Sequence, residues 1–284
     1  MRNVSKSFGA THVLHDLNFD IEAGSITALV GPSGCGKSTL LNAILGTVPQ
    51  SAGEVLVDGV AVAGPGRDRG IVFQRYMLFP FLTARANVAI GPVLDSTHLW
   101  QRLTHPLRTR AMKRKWRAEA DRWLAKVGLA DAADRYPSEL SGGMRQRVAI
   151  AQAMILRPRI LLLDEPFGAL DEATREELQD MLLGFYAENQ AAKAAGEPPP
   201  HTILIVTHEL NEAILVSDRV LGLSQYWDWP AAGHAECPGA TIVYDEPAPI
   251  FQVGEQRKPE VFYDQRQSIR TTVFEPTTPV APVG

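Results

Sequence analysis

Gly31-Pro32-Ser33-Gly34-Cys35-Gly36-Lys37-Ser38 decides the fold of this 284-residue chain. It fits the phosphate-loop pattern G-x-x-x-x-G-K-[ST], which carries meaning only between a strand and a helix. Both flanks are present. Ser25-Ile26-Thr27-Ala28-Leu29-Val30 reads as a buried strand, and Thr39-Leu40-Leu41-Asn42-Ala43-Ile44-Leu45 reads as the helix that follows. The glycines remove side chains, so backbone N–H groups can converge on phosphate oxygens. The helix N-terminus adds a field that favours an anion. Gly31, Pro32, Ser33, Gly34, Cys35, Gly36, Lys37, Ser38 and Thr39 are the expected nucleotide-binding segment. In this setting Lys37 is expected to reach the β- and γ-phosphates of the ligand, and the Ser38 hydroxyl to hold Mg²⁺.

On the N-terminal side, Val13 to Ile21 alternates apolar and polar residues, the mark of a half-exposed antiparallel strand. Residues 1–30 read as β structure, with an opening strand that is short or begins upstream of Met1. On the other side, Glu54–Gly59 and Gly70–Phe73 read as strands, and a helix-rich stretch runs from about Thr83 to Arg157. Ile160–Asp164 and Thr202–Thr207 are continuous apolar runs of the kind found in central strands of a parallel sheet covered on both faces. Helices between them make the layout α/β. Asn189 to Pro200 is rich in Ala, Gly and Pro and reads as a surface loop or a frayed helix end. The composition shifts again from Trp227. Thr241–Pro247 reads as a closing strand, and beyond about Gly254 the chain reads as extended and weakly ordered until a partner pins it.

Composition narrows the function classes. The net charge of −4 favours no nucleic-acid role. Of the two cysteines, Cys35 sits inside the phosphate loop, which argues against a structural disulfide and fits a reducing compartment. No apolar run approaches the roughly 20 residues that cross a bilayer, and Met1–Lys6 is too polar for a signal peptide. The expectation is a soluble cytoplasmic chain whose membrane role, if any, comes through a partner.

A second group of residues completes a triphosphatase pattern. Asp164 stands at the tip of the strand Ile160–Leu163, placed to bind Mg²⁺ partly through water. Glu165 follows, placed to accept a proton from an attacking water. Leu140-Ser141-Gly142-Gly143-Met144-Arg145-Gln146-Arg147 opens another helix. A serine hydroxyl and bare glycine N–H groups there form a second anion site.

With that octapeptide the chain resembles the ATP-binding subunits of ABC transporters, whose signature is LSGGQ; Met144 takes the place of the usual Gln, and Gln146 follows. The resemblance covers roughly residues 1–225 and rests on six motifs in order. It implies a P-loop NTPase (RecA-like) core with an N-terminal antiparallel β subdomain and an inserted helical subdomain at about 83–157. The ATPase domain is expected over 1–232, with 233–284 as a C-terminal extension. It further implies that Gln74 senses Mg²⁺ and the attacking water, so that Ser38, Gln74 and Asp164 form the metal set, and that His208 contacts the γ-phosphate. Phe8, with Val13 alongside, is implied to stack on adenine, an interaction worth about 1–3 kcal/mol; an ordinary core aromatic is the other reading. Gly168-Ala169-Leu170-Asp171 matches the loop that crosses the dimer seam. Ser141, Gly142, Gly143 and Gln146 are implied to act in trans, on ATP bound by the second subunit of a homodimer.

Tyr76-Met77-Leu78-Phe79-Pro80-Phe81-Leu82-Thr83 is similar to a stretch of importer subunits serving nitrate, sulfonate and taurine. The resemblance thus implies integral-membrane permease subunits as partners, an extracytoplasmic solute-binding protein acting indirectly, no nucleic acid, and a peripheral place on the inner face of the plasma membrane. The apolar groups either form a groove for a permease helix or pack internally. One departure from the family is a longer segment between Pro92 and Ala118 carrying Arg102, Arg108, Arg110, Lys113, Arg114, Lys115 and Arg117. A solvated basic helix, a contact with anionic lipid and a nucleic-acid contact all fit it. Two other functions compete with import. A soluble ABC ATPase acting on DNA or ribosomes would carry two motif sets or long coiled arms, and this chain shows neither. A regulatory module without turnover sits poorly with intact Glu165 and His208.

Overall fold

The computed structural model describes residues 1–75, 77–96, 106–168, 170–251, 253 and 259–275. Its centre is a six-stranded sheet in the order β11-β10-β3-β9-β8-β7, built from β3 (Ile26–Val30), β7 (Arg69–Val72), β8 (Ile160–Asp164), β9 (Thr202–Thr207), β10 (Arg219–Ser224) and β11 (Thr241–Pro247). Neighbours run parallel except β11, which runs antiparallel to β10. Every residue of β3 and β9 is buried, as expected of runs without polar alternation.

Each face of the sheet is covered. On one side β1 (Arg2–Phe8), β2 (Thr11–Leu17) and β4 (Ala52–Glu54) form a three-stranded antiparallel sheet. Its Val4, Leu14 and Leu17 pack with Leu40, Leu41 and Ile44 of α1 (Lys37–Leu45). On the other side lie α2 (Ala84–Asp95), α3 (Pro106–Lys126), α4 (Gly142–Met154) and α5 (Glu172–Ala194), with Val88, Leu124, Ile150, Phe167 and Phe185 in one core. A third cluster joins α6 (Leu210–Val216) to the C-terminal elements through Ile214, Trp227, Phe262, Ile269 and Val273.

Several local expectations need correction. The run Glu54–Gly59 divides between β4 and a hairpin of β5 (Leu56–Val57) and β6 (Val60–Ala61). Asp58 and Gly59 at φ 49° and 77° supply the left-handed pair that a two-residue turn needs. The strand expected to reach Ile21 stops at Leu17. Of the two readings of Asn189 to Pro200 the helix end holds for its first part, since α5 continues to Ala194, but Asn189 is fully buried rather than frayed. Its side chain accepts from the His201 N–H (3.0 Å) and donates to the carbonyls of Gly24 (3.0 Å) and His201 (2.6 Å).

The tail, too, is more ordered than its composition suggests. Pro259–Phe262 and α7 (Tyr263–Ile269) are helical, and a wider turn follows over Arg270–Phe274. Phe262, Ile269 and Val273 are buried, and Ser224 Oγ donates to the Val273 carbonyl at 2.8 Å. Three apolar residues at one helical face suffice to dock the segment. Residues 254–258 and 276–284 lie outside the described residues, as do Tyr76, Ala169 and residues 97–105, with Arg102 of the basic segment.

Candidate nucleotide-binding and hydrolysis site

β3, β9, β8 and β7 are adjacent and parallel, so their carboxyl ends share one edge of the sheet, the place where open α/β sheets take ligands. Each of the four leads into a motif. Gly31 follows β3, His208 follows β9, Asp164 and Glu165 close β8, and Gln74 stands just beyond β7.

The phosphate loop is braced from within. Lys37, 9% exposed, donates through Nζ to the carbonyls of Gly31 (2.7 Å) and Pro32 (2.9 Å). Helix α1 begins at Lys37, so Lys37 and Ser38 form its first turn, two residues earlier than the apolar run suggests. Gly36 stands at φ 104°, and a Cβ there would lie 2.8 Å from Leu14 and 2.9 Å from Val13. Only glycine satisfies both the backbone and the contact. Cys35 is buried, and desolvation pushes its thiol up, away from the reactive thiolate.

Glu165 occupies a left-handed backbone at φ 46°, uncommon for a residue with a Cβ. Its N–H is anchored to the Val206 carbonyl at 2.8 Å. Its carboxylate stands between two partners: Oε2 accepts from Gln74 Nε2 (2.9 Å), and Oε1 lies 3.0 Å from His208 Nδ1. Burial and the neighbouring Glu165 push the Asp164 carboxyl above the usual carboxylate range, and Lys37 opposes them. Ser38 hydroxyl, Asp164 carboxylate and Gln74 amide are oxygen donors, the set a hard divalent cation takes.

Phe8 ends β1 and is 51% exposed, so it is not a core aromatic. The Lys6 ammonium lies 4.7 Å from its ring centroid. Val13, against Gly36, ties this hairpin to the phosphate loop.

Ser141, Gly142 and Gly143 stand elsewhere, at the start of α4 in the helical subdomain. Ser141 Oγ caps the helix by accepting from the Met144 N–H at 3.2 Å. Gly143 is pressed against Thr174, leaving no room for a Cβ. Thr174 in turn donates to Asp171, the cap of α5, from its N–H (3.0 Å) and its hydroxyl (2.8 Å), which holds the Asp171 carboxyl below the usual range. The signature helix and the seam loop are therefore one packed unit. Gln146 is corrected by its position: it is 1% exposed, turned into its own chain, and both of its polar side-chain atoms are unpartnered, so it offers nothing at the surface.

Two residues escaped the sequence reading. Arg175 donates through Nη2 to the Leu170 carbonyl (3.1 Å) and sets Nε 3.1 Å from Glu212 Oε1, an ionic contact without hydrogen-bond alignment. Glu212, 5% exposed, also contacts Thr207 Oγ1 (3.4 Å), which accepts the Glu209 N–H (3.0 Å). Burial pushes the Glu212 carboxyl up to about 7, against the pull of Arg175. The pair links the loop before Asp171 to the loop carrying His208. Arg175 and Glu212 each lie four residues, about one helical turn, after a motif residue, but that spacing does not show that they pair.

Two cavities lie elsewhere. One of about 820 Å³, lined by Arg2, Asp20, Arg157, Arg219 and Asp245, opens at the amino ends of the strands, opposite the motif edge. One of about 380 Å³, lined by Phe73, Met77, Gly91, Ala153 and Leu156, lies between β7, α2 and α4. Met77, Phe79 and Phe81 beside it are exposed. Asn87, fully buried, fixes the loop that displays them by accepting from the Phe79 N–H (2.7 Å) and donating to the Leu82 carbonyl (2.9 Å).

The ABC transporter family model matches residues 14–168, more than half of the chain. A bicarbonate transport ATP-binding protein of Synechocystis sp. is 42% identical over 78% of this chain and 72% of its own length. A nitrate import ATP-binding protein of Synechococcus elongatus is 38% identical over 86% of this chain and 81% of its own. A dimeric bacterial ABC transporter cassette shares the fold with a TM-score of 0.64 at 28% identity, over 88% of this chain and 98% of that one. A cassette dimer in a post-hydrolysis state, bound to ADP and Pi, matches with a TM-score of 0.63 at the same identity and coverage. Fold, motif order and sequence agree: the chain belongs to the ABC transporter family, as one of its ATP-hydrolysing cassettes.

Proposed function

We propose that this ATPase powers uptake of a small anion or a small nitrogen or sulfur compound, as a homodimer that closes around two Mg-ATP and drives a membrane permease. The observation that carries the hydrolytic part is the Glu165 carboxylate held between Gln74 and His208 at the phosphate-loop edge. The relatives named for nitrate import and bicarbonate transport support the solute class.

In this reading the loop N–H groups and Lys37 hold the triphosphate, and Phe8 with Val13 holds the base. Mg²⁺ held by Ser38 and Asp164, with Gln74, supplies charge neutralisation at the phosphates. Both Glu165 oxygens are engaged in the chain as it stands, so an attacking water takes the place of one partner. Glu165 then accepts the water's proton while His208 contacts the γ-phosphate. Chemistry is positioning plus charge stabilisation. Ser141, Gly142 and Gly143 complete the site of a second copy across a two-fold axis. Loss of the bridging γ-phosphate releases the pair.

The apolar groove lined by Phe73, Met77 and Leu156 suits a short permease helix, and in this reading the chain works at the cytoplasmic face of the membrane. A solute-binding protein outside would act through that permease. Two measurements test the proposal. Glu165→Gln given ATP and magnesium is expected to dimerise by light scattering and to lose turnover by about 10²–10⁴-fold. Cells carrying Lys37→Ala are expected to lose uptake of one such solute. A variant that hydrolyses normally, or uptake that persists without a functional subunit, would overturn it.

A further inference from the structure

The outer face of α3 carries none of the residues assigned above to ATP binding or hydrolysis. Arg110, Lys113, Arg114 and Arg117 follow one another at i, i+3, i+4 and i+7, the spacing of a single helix face. All four are exposed, as is Lys115, whose ammonium lies 5.4 Å from the Trp116 ring centroid. Another stripe turns inward, with Met112 and Trp116 half-buried and Trp123 buried, and beyond Arg117 the helix enters the core, where Ala120 and Leu124 are buried. The helix is therefore already packed on its apolar side, and its cationic side is what it presents.

Among the described residues no ion pair neutralises that stripe. No acidic residue occurs between Asp95 and Glu119, and Glu119 is engaged by Arg122 (3.0 Å) and Arg157 (3.2 Å). Arg110–Arg114 and Lys113–Arg117 are like-charge pairs four apart, which destabilise a helix. At 1.5 Å per residue the four charges fall within about 10 Å, a density that fits an extended anionic surface.

Position selects the kind of surface. Trp116 Nε1 donates to Ser96 Oγ at 3.0 Å, which ties α3 to the C-terminal cap of α2. α2 contributes Gly91 to the apolar groove, and Arg157, paired with Glu119, directly follows Leu156 of the same groove. The cationic stripe and the groove are thus carried by neighbouring elements of one subdomain. We propose that the Arg110–Arg117 face of α3 binds the anionic headgroups of the bilayer. The preference for lipid over nucleic acid rests on the permease reading of the groove; the charge argument does not.

Sedimentation of the full chain with vesicles tests this without a permease, so its outcome is independent of whether the groove docks one. Phosphatidylcholine vesicles are compared with phosphatidylcholine–phosphatidylglycerol vesicles at low and at physiological salt. The chain is expected to bind the anionic vesicles alone, and more weakly at physiological salt, where the screening length is about 8 Å. The variant Lys113→Gln/Arg114→Gln/Arg117→Gln is expected to lose binding on the order of 100-fold, from about 1 kcal/mol per cation, with ATP turnover unchanged. The pair Arg110→Gln/Lys115→Gln gives a smaller loss and guards against misfolding of the triple variant. Equal binding to both vesicles, no binding at all, or a triple variant that behaves as the parent overturns the proposal. Duplex DNA that displaces vesicles at equal phosphate concentration overturns it in favour of nucleic acid.

Discussion

In the proposed mechanism Glu165 concentrates the chemistry in one side chain. Its φ of 46° is held by a backbone hydrogen bond to Val206 and has a steric cost that ordinary strand ends avoid. That geometry sets the carboxylate between Gln74 and His208. Replacing Glu165 by Gln preserves shape and removes basicity, so ATP affinity should persist while turnover falls. Lys37→Ala acts on the other step: nucleotide affinity itself should weaken in a titration, because the cradle loses its one buried cation. At this scale the sequence is legible where the spacing is rigid, as in Gly31–Ser38 and Asp164–Glu165. It misleads at Gln146, which lies beside the signature in the chain. Three and four residues later come Ala149 and Ile150, both buried, and helical periodicity sends Gln146 to their side. Adjacency in sequence counts for less than the helix face.

Elements carry the coupling between motifs. α4 and α5 meet at Gly143 and Thr174 with no space for a methyl group. Gly143→Ala should force the two helix starts apart and destabilise the chain by about 1–3 kcal/mol, the range for overpacking, as read by denaturant melts. The ionic link from Arg175 to Glu212 ties α5 to α6. Arg175→Ala should cost about 1–3 kcal/mol by leaving a buried carboxylate without its partner, and should lower turnover with little change in KM for ATP. Arg175→Lys should recover part of the turnover. A result in which both variants melt and hydrolyse like the parent would sever the proposed link. Such cross-element pairs were not legible in the linear pattern, because each partner looks like a surface charge on its own helix. Continuous apolar runs marked β3, β8 and β9 but not β10, and the docking of α7 rests on three buried apolar residues too sparse to show a period.

Three groups with large shifts, buried Glu212 and His201 and half-buried Asp218, make stability depend on pH. Burial raises Glu212 to about 7 and Asp218 to about 6, so each contributes stability that is full below its unfolded pKa and is lost as pH rises through its folded one. His201 runs the other way. Burial, then the nearby Lys126, lowers it to about 4, so its contribution is present above its unfolded pKa and is lost as pH falls through about 4. The contributions cancel in part, and variants separate them. Glu212→Gln should flatten the decline in unfolding free energy between about pH 4 and 7, and His201→Gln should steepen it. Denaturant midpoints measured across that range decide, and identical slopes in all three proteins would refute the assignment. None of this was readable in advance, since Glu212 and His201 are unremarkable until the sheet buries them. No described helix has the length and apolarity to cross a membrane.

The strand β11 and the segment ending at Phe274 lie beyond the last motif residue, His208, yet they seal the sheet beside the phosphate loop. Ala240 exchanges two backbone hydrogen bonds with β2 (2.9 Å each), and β2 presses on Gly36. A fragment cut after His208 would keep each signature residue and lose both the antiparallel margin of the sheet and the brace behind its glycines. The smallest piece that works is therefore set by carpentry rather than by catalysis, and it extends at least to Phe274.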